Sequence, residues 1–91
     1  MNIIFVSRIA DDKQNVVTQI ISSVPPVTIA AIAESKILNE ENTSSGLYVI
    51  ESSEDKNVVA AEIERYLDSN TDTRNFERKT YPNSQTIAFQ W

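Results

Sequence analysis

The sequence predicts an α+β domain in which two helices pack on one face of an antiparallel sheet. Three observations carry that expectation. Runs rich in β-branched and aromatic residues recur at positions 2–8, 27–33, 47–51, 74–81 and 85–91, the composition that suits a pleated, half-buried strand. Two further segments carry apolar residues at helical intervals, which marks amphipathic helices. Pro25-Pro26 and Pro82-Asn83-Ser84 punctuate the chain, because proline cannot continue a helix and sets up turns.

Residues 2–8 read as the first strand. Asp11 and Asp12 then stand where a helix N-cap belongs, and Gln14 follows Asp11 at capping-box spacing. Val16, Val17, Ile20, Ile21 and Val24 form the apolar stripe of the first helix, which the double proline ends. Residues 27–33 read as the second strand, since a chain leaving Pro-Pro into β-branched residues restarts extended; Ile29, Ile32, Ala33 and Ile37 also fit a helical face. Residues 39–46 are polar and read as a loop, and residues 47–51 as the third strand. Ser53 is the expected cap of the second helix, with Glu54 and Asp55 in its first turn, where the helix dipole favours acids. Val59, Ile63, Tyr66 and Leu67 form its stripe; Glu62, Glu64, Arg65 and Asp68 face water. A loop over residues 68–73 leads to a terminal hairpin, residues 74–81 and 85–91, with Ile87, Phe89 and Trp91 on one face. The order β-α-β-β-α-β-β fits a ferredoxin-like split β-α-β sandwich with a C-terminal β-hairpin, which joins these elements without crossings.

Ninety-one residues suit one domain spanning the whole chain. At 41% hydrophobic and 23% charged, the composition supports a folded core rather than disorder. The longest apolar run is Ile29-Ala30-Ala31-Ile32-Ala33, followed by four-residue runs such as Ile3-Ile4-Phe5-Val6, far short of the roughly 20 residues a membrane helix needs. No basic region precedes an apolar one, so a cytoplasmic protein away from the membrane is expected. The absence of cysteine and histidine removes thiolate and imidazole chemistry and zinc ligation of the usual kinds. A single glycine, Gly46, excludes Gly-rich phosphate cradles. No cofactor is expected. Net charge is −5 and uneven: positions 34–72 hold ten acidic and three basic residues, whereas positions 73–91 hold Arg74, Arg78 and Lys79 against Glu77 alone. An acidic chain repels a phosphate backbone overall.

Ile4-Phe5-Val6-Ser7-Arg8-Ile9 resembles the first signature of RNA-recognition motifs, and Gly46-Leu47-Tyr48-Val49-Ile50 partly resembles the second. The resemblance implies a ferredoxin-like fold whose central strands display aromatic residues for stacking on RNA bases. Phe5 matches one such position. Leu47 and Val49 occupy the other two and are aliphatic, Tyr48 points to the core side, and Ser45 stands where the family carries a basic residue. Losing stacking platforms worth about 1–3 kcal/mol per base turns the expected partner from RNA to protein. The turn Ala10-Asp11-Asp12-Lys13 is also similar to that of the small CRISPR-associated ferredoxin-like nucleases, though the arginines that usually follow are absent.

Candidate sites follow. With Ile4, Val6, Tyr48 and Ile50 taken to face the helices, Ile3, Phe5, Leu47 and Val49 form the expected partner-binding strip on the open face. Arg65, Arg74, Arg78 and Lys79, near Tyr81, are candidate nucleic-acid contacts; basic residues on a hairpin also discourage edge pairing without further purpose. Asp11 and Asp12, with Glu51, Glu54 and Asp55 at an adjacent strand end, are candidates for Mg²⁺, and helix capping accounts for the same acids. Asn42-Thr43-Ser44 is a formal glycosylation sequon, and Trp91 is a core plug or dimer contact. The expected function is a non-catalytic protein-interaction module, homodimeric, that self-associates through the apolar sheet face. The alternatives are a single-stranded RNA-binding domain, a Mg²⁺-dependent ferredoxin-like nuclease, and an acidic mimic of nucleic acid.

Overall fold

A computed structural model describes residues 2–38 and 43–91. The first strand, β1 (Asn2–Ala10), is followed by a single 3₁₀ turn over Asp11–Lys13 and by helix α1 (Gln14–Ser22). Pro25 closes the chain reversal that follows: its carbonyl accepts from the amides of Thr28 and Ile29 at 2.9 and 3.1 Å. The second strand, β2, therefore starts at Ala31 and runs to Leu38. The β-branched Val27 and Thr28 lie in the turn, because the amides of Thr28 and Ile29 are committed to the proline and not to a ladder. Strand β3 spans Thr43–Glu51, so the expected loop over 39–46 is partly strand. Asn42 of the sequon lies outside the described residues.

Helix α2 (Lys56–Asp68) is capped by Asp55 rather than Ser53: the Asp55 carboxylate accepts from the amide of Asn57 at 3.0 Å. Ser52, buried behind it, accepts from the amide of Glu54 and donates to the carbonyl of Thr28. The terminal hairpin is shorter than its sequence suggests, with β4 over Glu77–Thr80 and β5 over Thr86–Gln90.

The five strands form one sheet in the order β2-β3-β1-β5-β4. β1 is antiparallel to β3 and parallel to β5, so the sheet is mixed where an antiparallel one is expected. The cause is topological. After α2 the chain goes to the outer edge as β4, and the hairpin turns inward, so β5 enters beside β1 in the same direction. Two helices on a five-stranded mixed sheet are compatible with a ferredoxin-like α+β fold.

The core lies between one sheet face and both helices. Phe5, Tyr48, Ile50, Ile87 and Phe89 from the sheet pack against Val17, Ile21, Val59, Ile63 and Leu67 from the helices, all fully or almost fully buried. Phe5 and Phe89 stack in a tilted arrangement with ring centroids 4.8 Å apart. Trp91 plugs the hairpin end of this core: it packs on Phe76 and Phe89, and its indole N–H donates to the carbonyl of Thr73 at 2.8 Å.

A buried polar chain fixes α1 on the sheet. Gln14 Nε2 donates to Ser7 Oγ at 2.8 Å and to Tyr48 Oη at 2.7 Å. Tyr48 Oη lies 2.9 Å from Thr18 Oγ1, which in turn donates to Glu34 Oε1 at 3.0 Å. Gln14 is thus turned into the core instead of closing a capping box, and neither aspartate caps α1. Gly46 makes this possible: a Cβ there would stand 2.2 Å from Gln14 Nε2 and 2.8 Å from the Tyr48 ring. At the other end of the sheet Lys56, also buried, donates from Nζ to the carbonyl of Tyr81 at 2.6 Å and to that of Ser84. One ammonium thereby ties the start of α2 to the β4–β5 turn.

Candidate functional site

Side chains alternate along a strand, and directly paired residues share a face. The pairings Ile3↔Ile50 and Phe5↔Tyr48, together with the burial of all four, therefore place these residues beneath the helices. Their neighbours form the opposite face. There Val49 pairs with Ile4 and with Ala33, Leu47 pairs with Val6, and Ala88 of β5 lies beside Val6. Ile4 and Val49 are 40% and 39% exposed; Val6, Leu47 and Ala88 are half-buried. The strip is aliphatic throughout, crosses four strands and, among the described residues, has no helix over it. At about 4.8 Å per strand it is roughly 15 Å wide.

Charge marks the two ends of this face. Arg8 lies two residues beyond Val6 near the C-terminal end of β1, exposed and without an ion pair among the described residues. Glu51 lies two residues beyond Val49 at the C-terminal end of β3, opposite Asn2. Because the strands are antiparallel, the cation and the carboxylate occupy opposite ends. Beside the strip, Val6, Thr86, Ala88, Ser84 and Tyr81 border a shallow cavity of about 290 Å³.

Two expected partner residues are thereby corrected. Ile3 and Phe5 belong to the core, fully buried, and Ile4 and Val6 take their places on the open face. Leu47 and Val49 lie on the open face as expected. The parity of β1 is ambiguous in Ile3-Ile4-Phe5-Val6, where both faces are apolar, but Arg8 carries the missing signal: a charge shuns the core, so Ile4 and Val6, which share its face, point outward.

The basic residues do not form one patch. Arg65, on α2, pairs with Glu62 at 3.2 Å. Arg78 reaches across from β4 to Glu64 at 2.9 Å and to Asn57 Oδ1 at 2.9 Å, so its charge is neutralised on the helix side. Lys79 alternates with it and takes the open side, paired in register with Ala88. Arg74 is exposed in the turn before β4. The carboxylates are similarly dispersed: Asp11 and Asp12 follow the C-terminal end of β1, whereas Glu51 pairs with Asn2 at the N-terminal end of that strand. Among the described residues no three acidic side chains gather closely enough to hold a metal ion.

On the helix side, a groove of about 490 Å³ runs between α1 and α2, floored by Val16, Ile20 and Tyr66 and rimmed by Gln19, Arg65 and Asn70. No helix among the described residues is long and apolar enough to cross a membrane. Compared with known proteins, the chain matches no family model, no curated protein and no solved structure.

Proposed function

We propose that this chain is a non-catalytic interaction module that pairs with a second copy of itself through the open sheet face. The observation that carries the reading is the continuous aliphatic strip of Ile4, Val6, Leu47, Val49 and Ala88, left without a covering element among the described residues. Apolar surface of this kind gains about 25 cal/mol for each Å² removed from water, and sheets of one kind stack face to face readily.

The charges favour a second copy over an unrelated partner. A two-fold axis lying across the strands carries the Arg8 end of one face over the Glu51 end of the other. Each copy then supplies one half of each of two equivalent charge pairs, the self-complementarity that an isologous interface demands. Base stacking has less support on this face. Phe5, the one aromatic at a stacking position of the RNA-recognition signature, is buried against Phe89, and the exposed residues of the two central strands are aliphatic.

Sedimentation equilibrium of the wild-type chain and of Val49→Asp tests the reading. The wild type is expected to associate as its concentration rises, and the aspartate variant to associate markedly more weakly, with an unchanged far-ultraviolet circular dichroism spectrum. A Val49→Asp chain that associates as the wild type does would refute the proposal. Capture of a mixed-sequence single-stranded oligonucleotide at low salt, abolished in Arg8→Ala, would replace it with nucleic-acid binding.

A further inference from the structure

The sheet has two outer edges, and they are built differently. β4 is four residues long, three of them charged (Glu77, Arg78 and Lys79), and Arg78 is tied down to α2. Short, charged strands are how proteins keep an edge from pairing with foreign strands. β2 has neither protection. It runs for eight residues, Ala31–Leu38, without proline or glycine, and carries two charges, Glu34 and Lys36. One side of its backbone pairs with β3 along the whole length, from Ala31↔Glu51 to Leu38↔Ser44. Its other side has no strand partner among the described residues, which leaves the amides and carbonyls of about every second residue aimed outward.

We infer that this edge is a second pairing surface, and that its occupant is β2 of another copy, laid antiparallel about a two-fold axis at Ser35. The sequence Ile32-Ala33-Glu34-Ser35-Lys36-Ile37-Leu38 is self-complementary about that centre. In this register Glu34 of one copy stands opposite Lys36 of the other, twice, while Ala33 meets Ile37 and Ile32 meets Leu38. Directly opposed unlike charges stabilise an antiparallel pair, and like charges disrupt it. The two neighbouring registers of the same parity fail by this rule. A shift one way sets Glu34 against Glu34, and a shift the other way sets Lys36 against Lys36. The two charges therefore select one register of a strand whose backbone would accept several. The pairing joins two five-stranded sheets into one, with all helices on one side and the two open faces merged on the other. It does not rest on the face-to-face association proposed above.

Charge exchange tests the inference, with every chain carrying Val49→Asp so that association through the open face is suppressed. The Val49→Asp chain itself should still pair at high concentration, detected by light scattering and by exchange of fluorescently labelled copies. Glu34→Lys alone and Lys36→Glu alone should each weaken that pairing by about tenfold or more, since every opposed pair becomes like-charged. An equimolar mixture of the two should restore it as a one-to-one complex, and so should the double exchange within one chain. A Val49→Asp chain that is a single copy throughout, or single variants that pair as well alone as mixed, would overturn the inference. Neither result bears on whether Val49→Asp reduces association of the wild type, which belongs to the open face.

Discussion

The two faces of β1 and β3 are made from alternating residues of the same few positions, yet they differ in what they hold. On the helix side Phe5, Tyr48 and Phe89 meet ring against ring, with centroids 4.8 Å apart for Phe5–Phe89 and 6.5 Å for Phe5–Tyr48. A polar chain from Ser7 through Gln14, Tyr48 and Thr18 to Glu34 threads between them. On the open side stand Ile4, Val6, Leu47 and Val49, aliphatic and partly wet. Large rings and hydrogen bonds of fixed geometry specify a single arrangement of helix on sheet. Branched aliphatic side chains at the surface specify nothing about this chain alone but remain ready to be covered. The difference divides the labour: one face makes the fold, and the other is the one proposed for association. Substitutions one residue apart should therefore separate the two.

The largest effect is expected at Phe5. Truncation to alanine removes a ring packed against Tyr48 and Phe89 and should cost about 3–5 kcal/mol of stability, read as a lowered urea midpoint at a concentration where the chain is a single copy. A loss below about 1 kcal/mol would mean that Phe5 is not a core residue and would restore the open-face placement its signature suggests. Next comes Gly46. Its backbone leaves room for Gln14 and Tyr48, and the alanine methyl would collide with Gln14 Nε2. Gly46→Ala should therefore destabilise by about 1–3 kcal/mol, the usual cost of overpacking. Pairing it with Gln14→Ala removes the closest collision and leaves only that with Tyr48, so the double variant should be more stable than the sum of the two singles implies. Strict additivity would show that Gly46 is not there to accommodate Gln14.

Much of this division is legible in the sequence, and its gaps have physical causes. The helices announce themselves by period: Val17, Ile21, Val59, Ile63 and Leu67 are buried as their spacing requires. Leu47, Tyr48, Val49 and Ile50 also take the expected faces. The parity of β1 is not local information, since four consecutive apolar residues suit either side; only the exposed Arg8 and the pairing Phe5↔Tyr48 decide it. Gln14 sits at capping-box spacing, yet its amide is worth more as a donor to two buried hydroxyls, a tertiary demand that overrides a local motif. The neutralisation of Arg78 likewise depends on Glu64, fourteen positions away on another element. The placement of β5 between β1 and β4 has no local signature at all, because strand order is set by long-range packing after both helices are docked.

The smallest expected effect gives the sharpest comparison. Val49 and Ile50 are adjacent on β3, one 39% exposed and one fully buried. Threonine nearly preserves the shape of valine and has high strand propensity, so Val49→Thr should change the stability of the single copy by no more than about 0.5 kcal/mol. Ile50→Thr buries a hydroxyl among aliphatic and aromatic neighbours and deletes apolar volume, and should cost about 2 kcal/mol or more. Association should respond in the opposite order. Val49→Thr replaces a methyl with a hydroxyl at the centre of the proposed contact and should weaken pairing severalfold, measured by sedimentation equilibrium. Ile50→Thr, measured where the chain is still folded, should leave the pairing constant unchanged. Equal effects of the two on stability would erase the distinction between the faces, whereas equal effects on association would separate the open face from pairing while leaving the fold as described.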